Sequence, residues 1–150
     1  MGWNHSHLYQ FIVPDTKGST CYGEPGSGEE YSLKDDQVVR LADIAPTKGA
    51  SFLYEYDFGD NWKHEITVEK IAPGGFGDLP TPWCVDGARA CPPEDVGGTS
   101  GYEDFLEAWR NPRHPKHQQM RQWVGEHFHP ELFSLQQVNA ALAFFISISA

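Results

Sequence analysis

Residues 51–71 read SFLYEYDFGDNWKHEITVEKI, and the alternation in this stretch decides what the chain is built around. Phe52, Tyr54, Tyr56 and Phe58 fall on one side of an extended strand, with Leu53, Glu55 and Asp57 on the other. Trp62, His64, Ile66 and Val68 then share a side, with Lys63, Glu65, Thr67 and Glu69 opposite. Side chains alternate across a strand with period two, so each half offers one apolar and one polar face. Between them Gly59, Asp60 and Asn61 are residue types that tolerate the positive φ angles of tight turns. The stretch is a β-hairpin.

Outward from the hairpin, residues 7–13 (HLYQFIV) read as a strand with apolar residues on both faces, which suits an interior position. Residues 14–31 turn to Gly, Ser, Thr, Pro and acid, the composition of a surface loop. Residues 36–44 suggest a short strand around Val38 to Leu41, then a turn before Pro46. After the hairpin, residues 72–82 are rich in Gly and Pro and are expected to wrap the surface. Residues 84–101 (CVDGARACPPEDVGGTSG) hold too much Pro and Gly for regular structure. Val85, Ala88, Ala90 and Val96 suggest that they are nevertheless packed down.

Three helices close the chain. Ser100 and Glu103 form a capping-box pattern, and Tyr102, Phe105, Leu106 and Trp109 make one apolar stripe. Pro112 stops that helix and Pro115 suits the first turn of the next, where Met120, Trp123 and Val124 form the buried side ahead of Phe128. Ser134 and Gln137 are a second capping pair, before a core face of Leu135, Val138, Leu142 and Phe145. Strands followed by helices predict an α+β fold: an antiparallel sheet around the central hairpin (51–71) with the C-terminal helices packed on one face. A chain of 150 residues is expected to be a single domain.

Acidic residues outnumber basic ones by 21 to 11, for a formal charge of −10. Nucleic-acid binding relies on Lys and Arg to neutralise phosphates, so this balance argues against it. No run approaches the ~20 apolar residues of a membrane span, and the amino terminus has neither a basic nor an apolar stretch. A cytoplasmic location is expected. The three cysteines, Cys21, Cys84 and Cys91, are odd in number and make no disulfide framework. Cys84 and Cys91 are spaced more widely than a zinc knuckle and are read as ordinary thiols.

Two motifs, YDFGDNWKHEI (residues 56–66) and CVDGARACPPEDVGGTSGYEDFLEA (residues 84–108), resemble the plasmid pRiA4b ORF-3-like family. The upstream GWNHSHLYQF and the downstream helices fit the same pattern, so the resemblance covers nearly the whole chain. Some members are described as insertion-element passenger proteins of the TnpR type. The family implies an α+β domain and no established activity. A serine resolvase needs a nucleophilic Ser with several arginines, and Ser6, Ser19, Ser27, Ser32 and Ser51 have no such cluster nearby. Family members usually carry a strand-rich segment and a helix before the Gly-Trp that stands here as Gly2-Trp3. An N-terminally truncated domain is therefore expected, with self-association through the uncovered N-terminal region.

The polar residues of the two motifs supply the site candidates. Asp57, Asp60 and His64 are grouped around a tight turn, Glu94 and Asp95 follow two prolines, and His5 and His7 stand at a strand start. Imidazole and carboxylate together can hold a transition metal, yet a His beside Trp62 and Ile66 fits a hydrogen-bonded core residue better. Asp57 fits a turn brace, and Arg89 paired with Glu94 or Asp95 fits a loop brace. Gly87, Gly97, Gly98 and Gly101 allow close backbone approach, but no phosphate-loop or hydrolase motif is present. The candidate ligand-binding set is Tyr56, Asp57, Asp60, Trp62, His64, Arg89, Glu94 and Asp95. No cofactor and no metal are expected; His5, His7 and His64 are the residues that would hold a metal. The chain is read as a binding or interaction module associated with plasmids or mobile elements. Its partner is a protein or a small molecule rather than nucleic acid or membrane. The alternatives are a metal-assisted hydrolase using Asp57, Asp60, His64, Glu94 and Asp95, and a DNA-associated accessory protein of a mobile element.

Overall fold

The computed structural model describes residues 2–26, 33–72 and 82–149, with side chains up to residue 144. The fold is α+β. It divides into two compact units, each taken by itself: one comprises His5–Gly75 with Gly97–Thr99, the other Met1–Asn4, Phe76–Val96 and Ser100–Ala150.

The first unit is a five-stranded sheet of β1 (Tyr9–Asp15), β2 (Gly18–Gly23), β3 (Lys34–Asp35), β4 (Ser51–Tyr56) and β5 (Trp62–Thr67), in the order β3-β2-β1-β4-β5. The hairpin is the β4–β5 pair. Its register sets Tyr56 opposite Trp62, Tyr54 opposite His64 and Phe52 opposite Ile66, so the two apolar faces read from the alternation are one face, except that Phe58 lies past the end of β4 in the turn and is 41% exposed. β1 adds Tyr9 opposite Tyr56 and Phe11 opposite Tyr54. Ring centroids of Phe11 and Tyr54 lie 5.0 Å apart, those of Phe11 and Phe52 6.3 Å, within the range of favourable aromatic pairs. Val13, Ala45 and Phe52 form the buried cluster, with Phe11, Tyr22, Ile44, Ala50 and Val68 against it. On the opposite face Gln10 donates to Glu55 at 2.6 Å and Lys63 stands 3.9 Å from Glu55.

Three expectations are corrected in this unit. The loop expected over residues 14–31 contains β2, which turns back on β1 through a tight turn that Asp15 braces. Its carboxylate accepts the Lys17 N–H at 2.7 Å and the Thr20 hydroxyl at 2.6 Å. Thr20, Cys21 and Tyr22 have the β preference that the surrounding Gly and Pro concealed. Pro14 is tolerated because it lies past the last β1–β4 pairing, Ile12 with Leu53.

The strand expected around Val38 to Leu41 is instead a 3₁₀ turn (Asp36–Val38) and a single helical turn, α1 (Leu41–Ile44), leaving Val38 and Leu41 exposed. Local caps decide this. Asp35 accepts the Gln37 N–H at 2.9 Å, and Asp43 accepts both the backbone N–H and the guanidinium of Arg40. Tyr9 reaches in to donate its hydroxyl to Asp36 at 2.8 Å. Burial and that carboxylate push the Tyr9 phenol up to about 12. The sheet is also not wholly antiparallel, because β3 joins β2 in parallel. Residues 73–81, expected to wrap the surface, lie outside the described residues.

The second unit carries the C-terminal helices α2 (Gly98–Arg110), α3 (His117–Val124) and α4 (Leu135–Ser149), α2 entering it at Ser100. α2 opens two residues ahead of the expected Ser100 cap. Its stripe behaves as read: Phe105 and Ala108 are buried, and Tyr102, Leu106 and Trp109 are half-buried. Phe105 packs edge-on against Trp123 (5.8 Å) and Phe128 (5.5 Å), and Arg121 lies 4.8 Å over the Trp109 ring.

α3 starts two residues after Pro115 and buries nothing fully. Trp123, expected on its buried side, is 48% exposed. With only eight residues and a Gly125 stop, α3 is too short to lay a full stripe on α2. The second capping pair forms, with the Gln137 N–H donating to Ser134 at 3.3 Å. On α4, Val138 and Leu142 are half-buried, Leu135 is exposed, and among the described side chains the buried one is Asn139; the Phe145 side chain lies outside the described ones. No described helix is long and apolar enough to cross a membrane.

Candidate functional site

In the sheet unit the candidates gather at the hairpin turn. Tyr56, the last residue of β4, is 1% exposed, and Trp62 opposite it is buried. Asp57 follows in a left-handed conformation (φ 57°), which Asp accepts more readily than most residues. Its carboxylate is buried but busy. Oδ1 accepts the N–H groups of Gly59 (2.9 Å) and Asp60 (3.3 Å), and the backbone carbonyl accepts the N–H of Asn61.

This is the turn brace read from the sequence. The other oxygen, Oδ2, stands 3.6 Å from Nδ1 of His7, whose ring sits edge-on over Tyr56 at 5.9 Å. Asp60 accepts the Gly97 N–H at 3.0 Å. His64 lies two pairs further down the hairpin from Tyr56 and Trp62, its Nδ1 3.1 Å from the Tyr54 carbonyl oxygen. It joins no group of three potential metal ligands among the described residues, and neither does His5, whose ring lies edge-on to Tyr9. The structure therefore brings His7 and Asp57 together and gives Asp57, Asp60 and His64 backbone partners.

Of the stretch 84–101 expected to be irregular, residues 98–101 are instead the start of α2; in the helical unit residues 84–96 run without helix or strand, as expected, but are held differently. Val85 is 77% exposed and Ala88 is also exposed, while Ala90 and Val96 are half-buried, so apolar packing pins only part of this segment. Hydrogen bonds from distant positions pin it further. Trp3 Nε1 donates to the Pro92 carbonyl (3.0 Å), the Asn4 N–H to Glu94 Oε1 (2.8 Å), and the Ala90 N–H to the Pro130 carbonyl (3.0 Å). Asn139 makes a two-way clamp on Cys84: its Oδ1 accepts the Cys84 N–H (2.8 Å) and its Nδ2 donates to the Cys84 carbonyl (2.9 Å).

Arg89 does not brace the loop through Glu94 or Asp95. Its guanidinium lies 3.7 Å from Glu131, which Arg110 also contacts at 2.5 Å. Arg89 and Asp95 are both left-handed (φ 66° and 57°). Such backbone costs about 1 kcal/mol or more for a bulky residue and tends to collect at functional segments. The three cysteines are free, and burial pushes the Cys91 thiol upward.

Segment 84–96 borders three clefts of this unit. The largest, about 700 Å³, lies between α2 and α3; Asp95 and Asp104 line it with Lys116, Phe105, Met120 and Trp123. A second, about 450 Å³, has Trp83, Cys84 and Val85 facing Leu135, Asn139 and Ala140 on α4. A third, also about 450 Å³, runs from Trp3 along Cys91 to Glu94 toward Val124 and Phe128.

Asn139, Trp3 and Glu131 were not singled out from the sequence. Asn139 had a signal, since a polar residue inside the Leu135–Val138–Leu142 stripe needs a buried partner. Asn139→Ala should lower stability by about 1–3 kcal/mol, because it strands the Cys84 N–H and carbonyl. A urea midpoint unchanged from the parent protein would show that the clamp is dispensable.

The comparisons agree with this architecture. The protein-family model described as plasmid pRiA4b ORF-3-like protein matches residues 1–137. The uncharacterised protein y4hQ of Sinorhizobium fredii (strain NBRC 101917 / NGR234) is 39% identical over 127 residues, covering 83% of this chain and 62% of that protein. The chain thus spans somewhat less than two thirds of that relative's length. The crystal structure of a protein of unknown function from Methanosarcina mazei Go1 superposes with a TM-score of 0.77 at 33% identity, over 90% of this chain and 74% of that one. The match to the family model over most of its length, and the identity to y4hQ, place this chain in the plasmid pRiA4b ORF-3-like family.

Proposed function

We propose that the chain is a ligand-binding module whose contact surface is segment 84–96 together with the cleft between α2 and α3. One observation carries the reading. A segment without regular structure is anchored by hydrogen bonds from several distant positions and borders three clefts. Loops held on a rigid scaffold are where binding residues concentrate, and pre-anchoring lowers the ordering cost of binding. The α2–α3 cleft sets two carboxylates, Asp95 and Asp104, against one cation, Lys116, beside the apolar surfaces of Phe105, Met120 and Trp123, so carboxylates outnumber cations in its lining. That combination suits a ligand with an apolar body and a cationic end, a small amine or a peptide segment with a basic residue. The net charge of −10 favours the approach of such a ligand.

The family's plasmid name supports a role beside mobile-element DNA, and the same charge argues against a role on it. The hydrolase alternative draws less support, because the Asp57 and Asp60 carboxylates each accept backbone N–H groups of the hairpin region.

The test is an NMR titration of the isotope-labelled chain with phenethylamine and, separately, with phenylacetate. Phenethylamine should shift amides of residues 95, 104 and 123, phenylacetate should not, and Asp104→Asn should weaken the response about tenfold. Equal responses to both probes, or none to either, would reject the reading. Hydrolysis of nitrophenyl phosphates or esters that is lost in Asp57→Asn would put the enzyme first.

A further inference from the structure

The sheet ends on β5, which pairs with β4 on one side and, among the described strands, with nothing on the other. Just past β5, the Val68 N–H donates to the Ala50 carbonyl and the Val68 carbonyl accepts the Gly49 N–H, so its backbone groups point to the β4 side. Backbone direction alternates along a strand. Ile66, His64 and Trp62 therefore turn theirs the same way, and Lys63, Glu65 and Thr67 turn theirs to the open edge. An open edge is a template for another strand, and the side chains here say which strand fits. Lys63, Glu65 and Thr67 are exposed on one face, Lys63 only loosely placed at 3.9 Å from Glu55.

We propose that β5 pairs antiparallel with β5 of a second copy about a two-fold axis through His64. In that register Trp62 faces Ile66, Lys63 faces Glu65, and His64 faces its own copy. The outward-turned residues 63 and 65 become the hydrogen-bonded pairs, as an antiparallel ladder requires. Opposite charges then meet twice across the axis, and Lys63 lies between Glu55 of its own chain and Glu65 of the second copy. Moving the centre one residue, onto Lys63 or onto Glu65, sets like charge against like, which cross-strand pairing penalises. The other end of the sheet, β3, is two residues long and parallel to its neighbour, so it offers no comparable edge. Pairing closes at two copies and does not propagate.

A ladder over residues 62–66 makes a small interface, so the dimer is expected in the micromolar to millimolar range. Light scattering on the full chain, over a concentration series reaching roughly 0.5 mM, should show reversible dimerisation. Lys63→Glu, which opposes two like pairs, should weaken it about tenfold or more. The double variant Lys63→Glu with Glu65→Lys restores both pairs in reverse and should recover the dimer. Circular dichroism should show the same fold in all three proteins, and the two variants should melt together and slightly below the parent, since each sets a glutamate at position 63 opposite Glu55 of its own chain. A parent chain that stays monomeric throughout the series overturns the proposal. So does a dimer indifferent to Lys63→Glu, which would place the contact elsewhere, and so does a double variant that fails to recover, which would exclude this register.

Discussion

Tyr56→Ala is expected to cost about 3–5 kcal/mol of stability, the range for removing a fully buried aromatic ring. Tyr56 is 1% exposed and sits in β4 between Tyr9 of β1 and Trp62 of β5, so its ring is shared by the three strands that make the centre of the sheet. It also carries the edge contact with His7 and precedes the Asp57 brace. Against a net stability of about 5–15 kcal/mol for a typical domain, the loss should be visible as a large drop in the urea midpoint. Tyr56→Phe keeps the ring and should retain most of the stability. A Tyr56→Ala loss under about 1 kcal/mol would mean that another contact holds these strands together.

A comparable loss, with an informative sign, is expected at two glycines. In an ordinary helix Gly→Ala stabilises by roughly 0.5–1 kcal/mol. At Gly101, inside α2, an added Cβ would run into the Val96 carbonyl oxygen. At Gly98, where α2 begins, it would run into the Asp60 carbonyl and would also have to hold φ at +66°. Backbone oxygens cannot swing aside as a long side chain can. Both Gly98→Ala and Gly101→Ala should therefore destabilise, by about 2–4 kcal/mol. Gly125 is the control: its φ is 78° with nothing near the Cβ position, so Gly125→Ala should cost only about 1 kcal/mol. Urea melts of the three variants compare them directly. A stabilised Gly101→Ala would show that the approach to Val96 is looser than described.

The mechanisms also differ in what they would do to a site. Gly98 and the Gly97 N–H meet the backbone and side chain of Asp60, so damage there loosens the hairpin turn. Gly101 and Val96 both line the α2–α3 cleft, so Gly101→Ala should also disturb amine binding if that cleft is the contact surface.

What was legible in the sequence was whatever rests on period and local chemistry. Alternation over residues 51–68 determined the hairpin, its turn and the shared face of Tyr56, Tyr54, Trp62 and His64, because a one-residue slip would expose every aromatic ring. The stripe of α2 and the Ser134 cap of α4 were equally local, and so was the brace that Asp57 gives its own turn. Tertiary structure decided the rest. β2 exists because β1 offers it a partner, although its own composition reads as loop. The residues around Val38 went to capped turns because three nearby carboxylates supply hydrogen bonds that two valines cannot. Asn139 on Cys84, Trp3 on Pro92 and Arg89 on Glu131 each join positions 42 or more residues apart, and spacing in the chain holds no record of them. Side chains meet across such separations only after the backbone has been folded by burial and pairing. Segment 84–96 could thus be recognised as irregular from its Pro and Gly, while its anchors could be named only once α4 and the amino terminus lay beside it.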